Sequence, residues 1–217
     1  MMKKSCRNAL KETLDIYESA LEYRLAADEM MENIDQFWED DDGEMMRKAS
    51  NAYDDSILTL ADAIRFALVT PDEYDVSLRA RTERINTRCR QLGKVNVCLV
   101  SIHTNAAGNG KQWMNVRGWT CYTSKGQTAG DRLADCLYHA AALWLLGHKL
   151  RKDYSDGDPD WESDFYILKN TLCAAALTEN LFHDNSDDCL FLESDEGRRA
   201  IVALHVEGII NYVLKRY

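Results

Sequence analysis

The chain has 217 residues and carries 26 Lys and Arg against 36 Asp and Glu, a formal net charge of −10. That length accommodates one substantial α/β domain with a small appendage. The acidity excludes a nucleic-acid surface, which needs clustered basic residues to neutralise phosphates, and no stretch approaches the ~18 apolar residues of a membrane span.

The N-terminus, Met1-Met2-Lys3-Lys4-Ser5-Cys6-Arg7-Asn8, is basic, but Lys11, Glu12 and Asp15 interrupt the apolar core that a signal peptide needs. The chain is therefore expected to be cytoplasmic as synthesised. Seven cysteines (Cys6, Cys89, Cys98, Cys121, Cys136, Cys173, Cys189) include no Cys-x-x-Cys pair, and most fall in apolar runs, where Cys acts as a small hydrophobe. They are expected to be reduced thiols.

Residues 1–68 differ in kind from the rest. Over 1–69 there are 8 Lys and Arg against 16 Asp and Glu, a net of −8 that leaves −2 for the other 148 residues. Leu10, Leu14, Tyr17, Leu21 and Leu25 recur at helical spacing, as do Met45, Ala49, Ala52, Tyr53, Ile57, Leu60 and Ile64. Between them lies the breaker Glu39-Asp40-Asp41-Asp42-Gly43, so the segment reads as a helical hairpin with an acidic turn. Asp40, Asp41, Asp42 and Glu44 lack the alternating ligands and distal glutamate of a calcium loop and read as a solvated turn.

Thr70-Pro71 marks a boundary, because proline disfavours helix before it and cannot continue one. From residue 69 onward the pattern is that of an α/β fold, a mixed sheet flanked by helices. Leu78, Thr82, Ile85, Cys89 and Leu92 predict a helix ending near Gly93. A nearly unbroken apolar run then predicts a buried strand over 95–102 that delivers His103 at its carboxyl end, where chemistry in open α/β sheets gathers.

A flexible loop at 106–110 leads to a predicted strand at 118–122. A helix comes next with Leu133, Leu137, Ala141 and Leu145 on one side; His139 and His148 on its opposite faces are read as non-ligands. Asp153–Asp160 reads as a polar turn over a groove. Two further strands are predicted at 165–168 and 174–178, the second closed by Glu179, and a C-terminal helix spans about 195–216 with His205 as a core histidine. On spacing alone, Glu179 reads equally as a proton-shuttling carboxylate or as an ion-paired one.

Ser-Ile-His-Thr-Asn-Ala-Ala-Gly (101–108), Arg117-Gly118-Trp119, Tyr122-Thr123-Ser124-Lys125-Gly126-Gln127-Thr128, Asp156-Gly157-Asp158-Pro159-Asp160-Trp161 and Leu177-Thr178-Glu179-Asn180 occur in the order found in one family. Residues 69–217 thus resemble the zinc-dependent N-acetylmuramoyl-L-alanine amidases of type 3, found in bacteria and phages. The resemblance implies hydrolysis of the amide between the muramic acid lactyl group and L-alanine, with peptidoglycan or muropeptides as partners, zinc as cofactor, His103 as a metal ligand and Glu179 as the catalytic carboxylate. A wall enzyme of this kind would need separate release or export.

The sequence departs from that pattern in its first part. The family opens with a strand and a Gly-His-Gly-type loop carrying one zinc ligand, followed by a glutamate as another. Here the five histidines are His103, His139, His148, His183 and His205, so the acidic hairpin replaces that strand and metal loop. His183 and Asp184 are the nearby candidates for completing the site. Two functions from different classes are compatible with this: an amidase, in lineage and activity, or a non-catalytic binding or interaction module built on a degenerate amidase body. A rearranged or misread gene start would also account for the discontinuity near residue 69. If a strand has been lost, a sheet edge or apolar face is expected to need cover.

Overall fold

The structure is a computed structural model that describes residues 67–214 except Pro71 and Glu73. The helical hairpin and acidic turn expected over 1–68, and Cys6, lie outside the described residues. The chain divides between Leu68 and Val69 into two units, and the second, Val69–Tyr217, contains every described helix and strand.

Helix α1 (Leu78–Leu92) starts where Ser77 Oγ accepts from Ala80 N and stops at Gly93, whose φ of +84° suits a residue without Cβ. Its expected inner face holds, with Thr82, Ile85 and Cys89 buried. A 3-10 turn at Lys94–Asn96 takes the start of the run assigned to strand, so β1 spans Cys98–Asn105, about three residues later than predicted at each end. Strand β2 is Thr120–Thr123 and helix α2 is Ala129–Trp144. A capping box opens α2: Thr128 Oγ1 accepts from Gly130 N, while Asp131 accepts from Thr128 N.

The structure corrects two expectations. Helix α2 ends at Trp144, so His148 sits not on it but in the next turn, where His148 N donates to Leu145 O. The two-residue strand β3 (Trp161–Glu162) precedes a short helix α3 (Tyr166–Asn170), where a strand was predicted at 165–168. A four-residue apolar run does not distinguish helix from strand. Here local bonds favour the helix: the backbone N–H of Lys169 donates to Phe165 O, and the side chains of Asn170 and Thr171 donate from Nδ2 to Tyr166 O and from Oγ1 to Ile167 O. Asn86 of α1 holds its end, donating to Asn170 O and accepting from Leu172 N.

Strand β4 runs Ala174–Phe182, four residues beyond its predicted end, and is succeeded by helices α4 (Ser186–Glu193) and α5 (Asp195–Leu214). The sheet order is β1-β4-β2-β3, with β4 parallel to β1, antiparallel to β2, and β3 parallel to β2. It is therefore mixed and flanked by helices, as the sequence predicts.

Side chains alternate across a strand, and the alanines of β4 divide accordingly. Ala174 and Ala176 join Cys121, Leu133, Leu137 and Leu204 in the core under α2 and α5, while Ala175 and Leu177 join Ile85, Cys89, Leu99, Ile167 and Leu168 in the core under α1 and α3. Gly208 lets α5 approach α2: a Cβ there would lie 2.7 Å from Leu137 Cδ2 and 3.0 Å from its Cα. The six described cysteines are all free thiols, as expected. Among the described residues no strand pairs with the outer edge of β1, and Ile102 on it is 57% exposed.

Candidate active site

The register of β1 on β4 sets His103 directly against Glu179, and the register of β2 on β4 sets Thr120 against Glu179 on the other side. Adjacent strands run about 4.8 Å apart, so the structure brings together the two residues singled out in the sequence. Alternation puts Glu179 on the face of Ala175 and Leu177, and His103 on that of Leu99 and Ser101. Both thus lie at the carboxyl ends of parallel strands, on the side of α1 and α3.

Glu179 is half-buried, and its Oε2 is fully buried without a hydrogen-bond partner. Desolvation pushes its carboxyl above the usual range, against a smaller opposing pull from His183. His103 is exposed and shares a hydrogen bond of 2.9 Å between its Nε2 and Ser101 Oγ. Desolvation, and then the positive charge of Arg81, hold its imidazole below its ordinary value. Tyr122 shares this face: desolvation raises its phenol, Arg151 lowers it and Glu179 raises it.

A polar framework fixes these strand ends. Asn180, 2% exposed, donates from Nδ2 to His103 O (2.9 Å) and to Thr178 Oγ1 (3.2 Å), and accepts from Trp119 Nε1 (2.8 Å). The pairing of β1 with β4 slips by one residue between His103 and Asn105, and there Leu181 takes φ +62°. A bulge of this kind bends a strand and re-aims its side chains. Asp188, 1% exposed, accepts from Phe182 N and Gly118 N. His205 sits where it was expected, buried, with its Nε2 2.8 Å from Thr178 Oγ1 and its Nδ1 2.6 Å from Ile201 O.

The loop after His103 hangs on the start of α4. Asp184 accepts from Ala107 N (2.9 Å) and Gly108 N (2.7 Å), and Asn185 Nδ2 donates to Met114 O. Burial alone would raise the Asp184 carboxyl, but these N–H bonds overcome it and hold it below the usual range. Asp184 is thus committed to the loop and is not drawn to His103. His183 is exposed and acts on Glu179 only through its charge. Asn180 and Asp188 are not marked as site residues by the sequence, and Asp184, which is marked there as a candidate for completing the metal site, binds the loop instead. The one signal for Asn180 and Asp188 there is polar side chains within and just after an otherwise apolar strand.

Among the described residues no group of three His, Cys, Asp or Glu side chains is arranged to hold a metal ion. A catalytic zinc takes three protein ligands, so these residues by themselves do not fit one.

Residues 49–211 match the family Amidase_3, N-acetylmuramoyl-L-alanine amidase, a match that starts some twenty residues before the resemblance read from the motifs. The endolysin of Bacillus phage SPP1 is 28% identical over 162 residues, 71% of this chain and 56% of that protein, so the chain spans little more than half of that relative. The fold is similar to the catalytic domain of CwlV, an N-acetylmuramoyl-L-alanine amidase from Bacillus (Paenibacillus) polymyxa var. colistinus, with TM-score 0.54 at 17% identity over 72% of this chain and 82% of that one. It is also similar to the amidase AmiC2 of Nostoc punctiforme, with TM-score 0.55 at 21% identity over 74% and 83%. With three quarters of its length matched and the two motif residues adjacent on one sheet face, the chain belongs to the N-acetylmuramoyl-L-alanine amidase family.

Proposed function

We propose that the chain is an N-acetylmuramoyl-L-alanine amidase that hydrolyses the amide between the muramic acid lactyl group and L-alanine in peptidoglycan or muropeptides, with Glu179 carrying the proton. The observation behind this reading is Glu179 itself: a half-buried carboxylate with an unpartnered buried oxygen and a raised proton affinity, in register with His103. A purely structural carboxylate in such a setting would be ion-paired or fully hydrogen-bonded. Amide hydrolysis needs a proton taken from the attacking water and delivered to the departing amine, and a carboxyl of raised proton affinity suits both transfers.

The family is generally zinc-dependent and acts on peptidoglycan. In this chain His103 is the family's matching metal ligand, but the described residues supply no set of three. Further ligands would have to come from outside them, where there is no histidine. That shortage favours a second reading, a peptidoglycan-binding module on an amidase body. In either reading the chain would work at the cell wall once released from the cytoplasm.

Zinc stoichiometry and muropeptide hydrolysis, measured for the wild type, His103→Ala and Glu179→Ala, separate the two. The amidase reading expects weak zinc and low turnover that Glu179→Ala abolishes. Muropeptide binding with no turnover in any of the three proteins would establish the second reading. Tight stoichiometric zinc lost in His103→Ala would show that ligands outside the described residues complete the site.

A further inference from the structure

We propose that Arg151 is a carboxylate-binding residue beside the site, receiving an acidic group on the peptide side of the substrate. This rests on the muramoyl-peptide reading above and adds to it the chemistry of the peptide that is bound. The backbone of Arg151 is held on both sides: its N–H donates to Trp119 O (2.8 Å), and its carbonyl accepts from Tyr138 Oη (2.7 Å) and Thr120 Oγ1 (3.1 Å). Its guanidinium lies over the rings of Trp161 and Phe182, 5.2 Å from each centroid. Cation–π contacts of this kind hold the plane of the group and leave its edge N–H donors free.

Those donors have no use within the described structure. Each of the other arginines drawn into an ion pair, Arg81, Arg84, Arg90 and Arg117, has its own carboxylate. No carboxylate or carbonyl among the described residues bonds the Arg151 guanidinium, although it is only partly exposed. Beside it, Trp161 Nε1 is a buried N–H without a partner. A positioned guanidinium fork next to an unspent indole N–H is an arrangement for an oxygen anion, and a carboxylate matches the fork with two parallel hydrogen bonds.

The location points to the substrate of Glu179. Trp161 pairs with Tyr122, which pairs with Leu177, two residues before Glu179 on the same face. Phe182, the other ring under the guanidinium, lies three residues after Glu179 on β4. Leu150 bridges to Trp119 on the far edge of β2, and Thr120, next to Trp119, faces Glu179 on β4, so two strand spacings put the Arg151 backbone ~10 Å from that of Glu179, about three residues of extended peptide. Tyr122 feels both charges, which agrees with their lying on one side of the sheet. In a chain of net charge −10 an acidic peptide is repelled at long range, so a fixed local cation is what would retain it.

The test is a binding measurement that does not depend on turnover. The full chain is titrated with a muramoyl tetrapeptide whose stem carboxylates are free, and with the same compound having each carboxylate converted to its amide. The wild type should favour the acidic compound by about ten- to a hundredfold. Arg151→Met, which keeps the aliphatic packing, should bind both alike, and Arg151→Lys should keep part of the preference. Equal binding of the two compounds by the wild type would overturn the proposal even if Arg151→Met failed to fold, as would an undiminished preference in a folded Arg151→Met. Hydrolysis followed in parallel distinguishes the failures: turnover without preference defeats the subsite alone, preference without turnover defeats the amidase reading alone, and binding of neither compound defeats both.

Discussion

Asn180 donates its side-chain amide to the carbonyl of His103, so the residue after one candidate catalytic group holds the backbone of the other. The same side chain accepts from Trp119 Nε1 and donates to Thr178 Oγ1, whose hydroxyl in turn contacts His205. The bonds form one consistent set: Nδ1–H of neutral His205 donates to Ile201 O, Thr178 donates to Nε2, and Thr178 accepts from Asn180.

Replacing Asn180 with Leu would leave the buried Trp119 indole N–H without its acceptor and the partly buried His103 carbonyl without this donor. Each orphaned group costs about 1–3 kcal/mol, so Asn180→Leu should lower unfolding free energy by about 2–4 kcal/mol in denaturant titrations. A loss below about 1 kcal/mol would mean that the framework does not hold as described.

Leu181 provides a second check on the same bulge. At φ +62° a side chain is strained and glycine is not. Leu181 is fully buried, so both Leu181→Ala and Leu181→Gly should destabilise. Their order is diagnostic: in an ordinary strand alanine is the better residue, whereas here Leu181→Gly should be the more stable of the two, by about 1 kcal/mol. The reverse order in thermal melts would rule out the left-handed backbone.

The sequence made the frame legible where a periodicity was long or a run unbroken, as in α1, β1 and the start of β4. His103 and Glu179 were legible through the resemblance: on spacing alone Glu179 reads equally as an ion-paired carboxylate, and the strand before His103, expected to be buried on both faces, is an edge strand of the described sheet, with Leu99 its one buried residue. The sequence misassigned 165–168, since Tyr166–Asn170 owes its helix to local caps and to the bonds from Asn86, 84 residues away from Asn170. Asn180 and Arg151 were invisible for a related reason: their roles come from a one-residue slip in pairing and from rings on two different strands.

Asp160, 2% exposed, should make stability fall as pH rises from about 4 to about 8. Burial, with a further contribution from its hydrogen bond and repulsion with Asp158, pushes its carboxyl up to about 8, despite the bond it accepts from Thr123. The native state therefore holds a proton that the unfolded chain releases near pH 4. That stabilisation is complete below pH 4 and is lost as pH rises to about 8, at up to roughly 1.4 kcal/mol per unit. Asp160→Asn preserves an acceptor for Thr123 and a donor towards Asp158, so it should remove this decline and be the more stable protein at pH 8. Parallel pH profiles for the two proteins would refute the assignment.

His205 works in the opposite direction. Burial lowers its imidazole to about 4, so the native state keeps it neutral while the unfolded chain takes up a proton near 6.5. Its contribution is complete above pH 6.5 and is lost as pH falls towards 4. In the Asp160→Asn background, where the opposing slope is gone, unfolding free energy should rise between pH 4 and 6.5 and flatten above. A profile without that rise would place a charged or solvated histidine at 205.

Glu179 allows function and stability to be read separately. Because burial penalises its charged form and its Oε2 has no partner, the folded chain bears a cost at pH 7 that a neutral isostere relieves. Glu179→Gln should therefore melt at a higher temperature than the wild type near neutral pH, with the gain shrinking as pH falls and the wild-type carboxyl protonates. The same variant should lose whatever muropeptide hydrolysis the wild type has, since glutamine cannot take a proton from water. Such an exchange of stability for activity is expected where a group is held for chemistry rather than for the fold. If Glu179→Gln instead melted lower, with its deficit vanishing at acid pH, Glu179 would be a paired structural carboxylate, and the assignment of the proton-transfer role would have to be abandoned.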